Sequence, residues 1–281
     1  MLEIMFWPMV ASVLLPWLLV YLGAHVVQRG IIFIDIAMAQ MASLGICVAV
    51  ILHLDLESPT TFVIALGFTL VGAAIFSLAG KRTSQIPPEA VIGIGYVVAA
   101  AAAVLILSRA AEGDEQIKSM LVGNILLVTY QDVTKCLAIF LLVGVFHWVL
   151  RKQFLRVSFE RETAYQLGWR VRGWDFLFYA SLGLVVTSFV RIAGVLLVFT
   201  YLIVPAVCGL KLATRFAHRL LVGWVLSLIG GVAGLFLSYR FDLPSGAAIV
   251  CTFGGLLVLV SLAPARIGTR LKEAQVLSVR K

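Results

Sequence analysis

A carboxylate and an amide stand close together near the start of a long apolar segment. Asp35 and Gln40 lie in the run from residue 33 to residue 54, and Met41 and Ser43 follow on the same segment. An ionisable group inside hydrocarbon costs about 3 kcal/mol or more, so such groups often mark a binding site or an ion path. Carboxylate and amide oxygens are both possible ligands for a divalent cation.

Helical geometry limits what these two side chains can do together. Asp35 and Gln40 are separated by about 500° of rotation, so their side chains point about 140° apart on a regular helix. They cannot chelate one ion from that helix alone. For Asp35 the alternative interpretation is a carboxylate that interacts favourably with the helix dipole. Asp132 and Asp175 each begin a later apolar segment, where we expect helix capping.

The sequence lacks the common signatures of an enzyme. It has no H-E-x-x-H, no G-x-S-x-G and no repeated Cys/His cluster, and Gly80-Lys81 lacks the rest of a phosphate-binding loop. We therefore expect a non-catalytic chain that does not bind ATP itself and holds no covalent cofactor. The histidines lie near the ends of apolar runs, where we expect interfacial positions. The cysteines have no metal-ligand spacing and are expected to be buried free thiols: Cys47, Cys136, Cys208 and Cys251.

Apolar runs of span length dominate the chain. Hydrophobic residues make up 62% of the sequence, charged residues make up 13%, and the mean hydropathy is +1.05. A helix of about 20 residues crosses the roughly 30 Å hydrocarbon core, where the backbone must hydrogen-bond with itself. We predict one all-α transmembrane domain over residues 1–281, with nine spans at 6–27, 33–54, 60–80, 89–108, 132–150, 174–190, 193–211, 216–238 and 245–263.

The basic residues predict the orientation of this bundle. Most of the 22 Lys and Arg residues fall in the segments that would lie on one side of a nine-span protein. The positive-inside rule then places the N-terminus outside and the C-terminus in the cytoplasm of a multi-pass inner (plasma) membrane protein. The net charge of +8 follows from this arrangement and does not indicate nucleic-acid binding. The weakest boundary lies between the sixth and seventh spans, which only Arg191 divides.

Two features predict how the spans pack and bend. Gly230 and Gly234 form a G-x-x-x-G pattern, which lets helices approach closely. Pro205 lies inside an apolar run and removes one backbone hydrogen bond, so we expect a kink or hinge there.

The longest cytoplasmic loop, 151–173, contains a second candidate site. Its centre, from Ser158 to Leu167, predicts a short amphipathic helix with Ser158 as its cap. Arg161 would reach Glu160 and Glu162 on the exposed surface, and the apolar stripe would contain Phe159, Ala164 and Leu167. Such a helix either lies on the membrane surface or presses into a groove on a cytoplasmic partner.

Six segments, in chain order, resemble one known family. That family comprises the permease subunits of ABC transporters that import zinc, manganese or iron with a solute-binding protein. The segments are AMAQMASLG (37–45), PEAVIGIGYVVAAA (88–101), VGNILLVTYQD (122–132), LRVSFERETAYQLG (155–168), RIAGVLLVFTYLIVPA (191–206) and FDLPSGAAIV (241–250).

The resemblance implies the partners and the substrate. It implies a homodimer or pseudo-dimer with a translocation path at the two-fold axis, cytoplasmic ABC ATPase subunits that bind ATP, and an extracytoplasmic solute-binding protein. A divalent metal ion (Zn, Mn or Fe) would be the substrate. The residues that resemble the family's coupling loop, and that would contact the ATPase, are Phe159, Glu160, Ala164 and Gly168.

The second span departs from the family pattern. The family usually carries D-A-x-x-H there, and the corresponding positions in this chain hold Ile36 and Gln40, with the carboxylate displaced to Asp35. An amide oxygen is poorly suited to zinc, which prefers Cys and His. The resemblance implies Asp35 and Gln40 as metal-binding residues in a path that also includes Met41, Glu89 and Pro205. Glu89, beside the cytoplasmic mouth, is either structural or an exit charge.

Two other transporter classes remain as alternatives. Permeases for iron chelates or cobalamin are related, but they are usually longer and lack the AMAQMASLG helix. A secondary transporter would need inverted repeats, interrupted helices and paired membrane carboxylates. The sequence shows no such pairing, and the 151–173 loop would have no role in that class.

Overall fold

The structure is a computed structural model that describes residues 2–56, 58–79, 86–108 and 128–262. Within these ranges every regular element is an α-helix, and there are eleven. In chain order they are α1 (Leu2–Arg29), α2 (Ile34–Ile51), α3 (Pro59–Ala79), α4 (Pro88–Leu107), α5 (Tyr130–Val149), α6 (Arg151–Phe159), α7 (Arg161–Gln166), α8 (Val171–Ala193), α9 (Val195–Leu212), α10 (Phe216–Phe241) and α11 (Ser245–Leu262).

Nine of the helices in the described ranges are long and apolar enough to cross a membrane. This confirms the predicted all-α, nine-span bundle, and each helix lies within a few residues of its predicted span. The short helices α6 and α7 connect α5 to α8. The predicted side of each terminus stays a prediction. The outer loop expected between the fourth and fifth spans, the segment 122–127 and the basic residues beyond 262 lie outside the described residues.

The boundary between the sixth and seventh spans differs from the prediction. Helix α8 continues through position 191, so the prediction that Arg191 divides the two spans is wrong. The break comes at Gly194, with φ 78° and ψ 162°. Glycine reaches a positive φ without the steric cost that a Cβ imposes, so it can end a helix. A charged residue such as arginine does not by itself interrupt the helical backbone. Helix α9 then continues through Pro205, which is buried.

The loop between α5 and α8 also differs from the prediction. We expected one helix from Ser158 to Leu167, but the backbone breaks at Glu160, with φ −129° and ψ 47°. Ser158 therefore lies inside α6 and is not a cap. Ala164 is buried against Val157 and Val171, whereas Leu167 is exposed and takes no part in that apolar contact.

The bundle has a buried centre and an exposed apolar surface. Helices α1, α2, α8 and α9 are mostly buried, and α2 packs against α3, α4 and α8. Helices α4 and α5 are the least buried of the spans in the described ranges and carry apolar side chains on their outer faces. Such faces suit lipid or another transmembrane helix, because neither offers water to the side chains.

The predicted close packing at Gly230 and Gly234 is confirmed and occurs within the chain. Both glycines lie on α10 and face α11, where Gly230 approaches the ring of Phe253. A Cβ atom added at Gly234 would lie 2.6 Å from the Cα atom of Ile249. Only a glycine fits this position without movement of the neighbouring backbone.

We predict that Gly234→Ala destabilises the bundle. The added methyl group must push α10 away from α11, and overpacking of this kind costs about 1–3 kcal/mol. Thermal unfolding in detergent should show a lower Tm. Gly254→Ala is the matched control, because a Cβ at Gly254 meets nothing within 4 Å. A similar loss of Tm in both variants would contradict this packing.

Candidate functional site

The turn between α1 and α2 is fixed by a carboxylate from α4. Gly30 adopts a φ of 67°, which lets the chain reverse direction directly after α1. The backbone N–H of Ile32 then donates a hydrogen bond to Oε1 of Glu89, over 3.0 Å. Glu89 therefore has a structural contact at the start of α2. Its predicted place in the translocation path is a separate matter and stays a prediction.

Asp35 is a buried carboxylate in the first turn of α2. It is 1% exposed, and neither carboxylate oxygen has a hydrogen-bond partner among the described residues. The helix N-terminus stabilises a nearby carboxylate by only about 0.3–1 kcal/mol, much less than burial of an unpaired charge costs. The carboxylate of Asp35 is thus a group that a proton or a cation would stabilise.

The other predicted path residues on α2 are also largely buried. Gln40 lies within the bundle, and Met41 is partly exposed and faces Gly72 of α3. Within the described ranges no three His, Cys, Asp or Glu side chains lie close enough to hold a metal ion. One copy of α2 therefore brings Asp35 and Gln40 to the core without completing a chelate. Their roles as metal ligands stay predictions.

A second polar group lies where α1, α6, α7 and α8 meet, and we call it the Asp175 cluster: Arg29, Ser158, Arg161 and Asp175. Arg29 Nη1 donates to Asp175 Oδ1 over 2.8 Å. Arg161 Nη2 donates to Asp175 Oδ2 over 2.6 Å, and its Nη1 donates to Oδ1 over 3.2 Å. One carboxylate thus holds two guanidinium groups from different helices.

Ser158 extends the Asp175 cluster to α6. Its hydroxyl oxygen accepts a hydrogen bond from Arg29 Nε over 2.8 Å and lies 2.8 Å from His25 Nδ1. The guanidinium carbon of Arg29 lies 4.0 Å from the centre of the Phe178 ring, within reach of a cation–π interaction. The end of α1 is therefore bonded to both α6 and α8.

The charges of the Asp175 cluster are mostly removed from water. The side chains of Arg29 and Asp175 are each 1% exposed, and that of Arg161 is 34% exposed. Burial alone lowers the pKa of Arg161, but the adjacent carboxylate of Asp175 outweighs burial and raises that pKa above its usual value. Arg161 is therefore cationic at any physiological pH.

The two carboxylates expected to cap helices have different roles. Asp132 forms a capping box with Thr129, whose Oγ1 accepts from the Asp132 N–H, which confirms that prediction. For Asp175 the prediction is wrong. Helix α8 begins at Val171, earlier than predicted, so Asp175 lies beyond the first residues of the helix and its carboxylate pairs with arginines instead.

Two histidines that we expected at the interface are buried. His25 bonds to Ser158 as described, and His147 Nε2 lies 2.8 Å from Ser181 Oγ. The ring of His147 stacks on that of Phe154 with centroids 4.2 Å apart. Sequence reasoning missed the roles of His25 and Arg29. Their i, i+4 spacing, which places both on one face of α1, was the available signal.

The four predicted coupling residues lie together but differ in exposure. Phe159 is partly buried, with its ring 5.3 Å from that of Phe216. Glu160 and Gly168 are exposed, and Gly168 has a φ of 72°. Ala164 is buried inside the chain, so its side chain helps to position α7. Contact with an ATPase stays a prediction for all four residues.

Comparisons with known proteins find similar sequences over most of the chain. A model of the ABC 3 transport family matches residues 1–264. The manganese transport system membrane protein MntC of Listeria innocua is 25% identical over 236 residues, covering 82% of this chain and 79% of that protein. The manganese import system permease protein ScaB of Streptococcus gordonii is 27% identical over 239 residues, covering 85% and 83%.

One solved structure has the same fold. It is PsaBC from Streptococcus pneumoniae, solved in complex with a Fab, and it superimposes with a TM-score of 0.79 at 24% identity. The alignment covers 96% of this chain and 95% of the PsaBC chain. The likeness therefore extends over nearly the whole bundle.

We predict that Asp175→Asn strongly destabilises the chain. The substitution leaves Arg29 buried without a counter-charge, which costs about 3–5 kcal/mol. Asp132→Asn is the matched control, because it makes the same chemical change in an exposed capping box worth about 1 kcal/mol. Thermal unfolding in detergent should show a much larger loss of Tm for Asp175→Asn, and equal losses would contradict the buried ion pair.

Proposed function

Because the chain belongs to the ABC 3 transport family, we propose that it is the membrane-spanning permease of an ATP-driven manganese importer. The family match over residues 1–264 is the observation that carries this proposal. The nine apolar helices suit a protein that forms a path across a membrane. In this role the chain does no chemistry of its own, and it forms the route along which the ion moves.

The proposed cargo rests on chemistry as well as on the relatives. MntC and ScaB are both named for manganese. The candidate path residues Asp35 and Gln40 offer a carboxylate and an amide oxygen, which suit manganese better than zinc. In the proposed path a cation would replace the missing partner of the Asp35 carboxylate.

The proposed energy source is ATP bound by a partner subunit. We infer that the ATPase docks on the α6–α7 segment, where Glu160 and Gly168 are exposed and Phe159 is partly exposed. Two ATPase subunits would serve two copies of this chain in the plasma membrane. A solute-binding protein would deliver the ion to the opposite end of the bundle.

Co-purification tests this proposal directly. The chain is expressed with the proteins encoded beside its gene, and complexes are isolated in detergent. We expect a stoichiometric ATPase and ATP hydrolysis that manganese with its binding protein stimulates more than zinc or iron does. A chain that purifies alone and transports manganese in proteoliposomes without ATP would contradict the proposal and indicate a secondary transporter.

We predict that Gln40→His changes the metal preference of the path. An imidazole at this position supplies the nitrogen ligand that zinc prefers, so zinc should inhibit manganese uptake about tenfold more strongly. Uptake of radioactive manganese in proteoliposomes with increasing zinc measures this effect. Gln131→His, at an exposed position of α5, is the control and should leave the inhibition unchanged. No difference between the two variants would show that position 40 does not line the path.

A further inference from the structure

The α7 helix is held to the bundle by apolar packing and by an ion pair. It is a short helix between two breaks, at Glu160 and at Gly168. In its apolar contact Ala164 is buried against Val157 and Val171, and Tyr165 packs against the same group. The pair between Arg161 and Asp175 adds a charged contact with the bundle. A helix this short has little stability of its own, so these contacts determine where it lies.

Asp175 connects α7 to the end of α1, which lies a few residues before α2 in the chain. The same carboxylate that binds Arg161 also binds Arg29, the last residue of α1. The chain turns at Gly30 and enters α2 at Ile34, and Asp35 follows directly. A displacement of Arg29 along the axis of α1 therefore moves the peptide that leads into α2.

The turn is held from the other side by Glu89. Its carboxylate accepts the N–H of Ile32, so the turn has one attachment to α4 and one, through Arg29, to the Asp175 cluster. Ion pairs in a buried, low-dielectric setting resist separation more strongly than exposed pairs do. The route from α7 through Asp175 and Arg29 is thus a short chain of stiff contacts.

We propose that the Asp175 cluster is the connection through which a displacement of α7 reaches the first turn of α2. Asp175 and Arg161 are positioning residues in this scheme, since neither needs to touch the transported ion. The inference rests on the proposed function, because an ATPase docked on α6 and α7 would supply the displacement. It adds the route by which that displacement reaches the carboxylate of Asp35.

Arg161→Gln is the informative variant. It removes the partly exposed partner of Asp175 and leaves the buried pair between Arg29 and Asp175 in place, so the fold should survive. Arg161→Lys keeps the charge and should rescue the connection in part. Arg215→Gln is the matched control, because it removes an exposed arginine from the same end of the bundle, outside the cluster.

Hydrogen exchange on the purified full chain tests the connection without any partner. In Arg161→Gln we expect peptides covering 155–168 and 30–36 to exchange about tenfold faster, because Arg161 no longer holds the Asp175 carboxylate to which Arg29 is bound. Arg161→Lys should lie between this variant and the wild type, and Arg215→Gln should match the wild type. Faster exchange in 155–168 alone would overturn the proposal, as would unchanged exchange in both peptides.

Transport by the reconstituted complex separates this inference from the proposed function. We expect Arg161→Gln to hydrolyse ATP but to move about tenfold less manganese per ATP than the wild type, with partial rescue by Arg161→Lys. An unchanged ratio of manganese to ATP would overturn the connection and leave the importer intact. If the wild type itself recruits no ATPase, the proposed function fails, and the exchange experiment still decides whether α7 and α2 are connected.

Discussion

One buried carboxylate holds together the end of the bundle where α1, α6, α7 and α8 meet. Asp175 pairs with Arg29 and Arg161, and all three come from different helices. Removing these charges from water is costly, and the cost is offset only while the pairs and their hydrogen bonds are intact. Helix α6 is also held by the buried ring of Phe154 against His147. Helix α7 is shorter, and its ion pair between Arg161 and Asp175 ties its position to this cluster.

Several hydroxyl groups in the bundle are satisfied locally. Hydroxyl groups donate to backbone carbonyls one helical turn earlier, as in Thr69, Ser188, Thr200 and Thr252. Such bonds let a polar residue stay within an apolar helix at low cost. Some buried hydroxyl groups in the described part of the chain also lack a partner, among them those of Ser43 and Ser227, but these groups are neutral. Asp35 is different because its group is a carboxylate, which costs far more to bury without a partner than a hydroxyl does. That contrast supports a functional role for Asp35.

The sequence predicted the transmembrane helices well, because length and hydropathy alone determine which segments can span a bilayer. The family resemblance drawn from six short segments was also confirmed. Long-range pairing was not predictable. Asp175 was expected to cap a helix, since no sequence pattern indicates that arginines at positions 29 and 161 approach it. The break at Gly194 was assigned to Arg191 for a similar reason. A hydropathy profile shows a charged residue, but it does not show where the backbone adopts a positive φ.

The most direct test of the account is ATP-dependent uptake of radioactive manganese into proteoliposomes. The vesicles would contain the chain with its co-purified ATPase, and the solute-binding protein would be added outside. We predict uptake that requires both ATP and the binding protein and exceeds the uptake of zinc. Uptake that continues without ATP, or a complex that moves zinc in preference to manganese, would contradict the account.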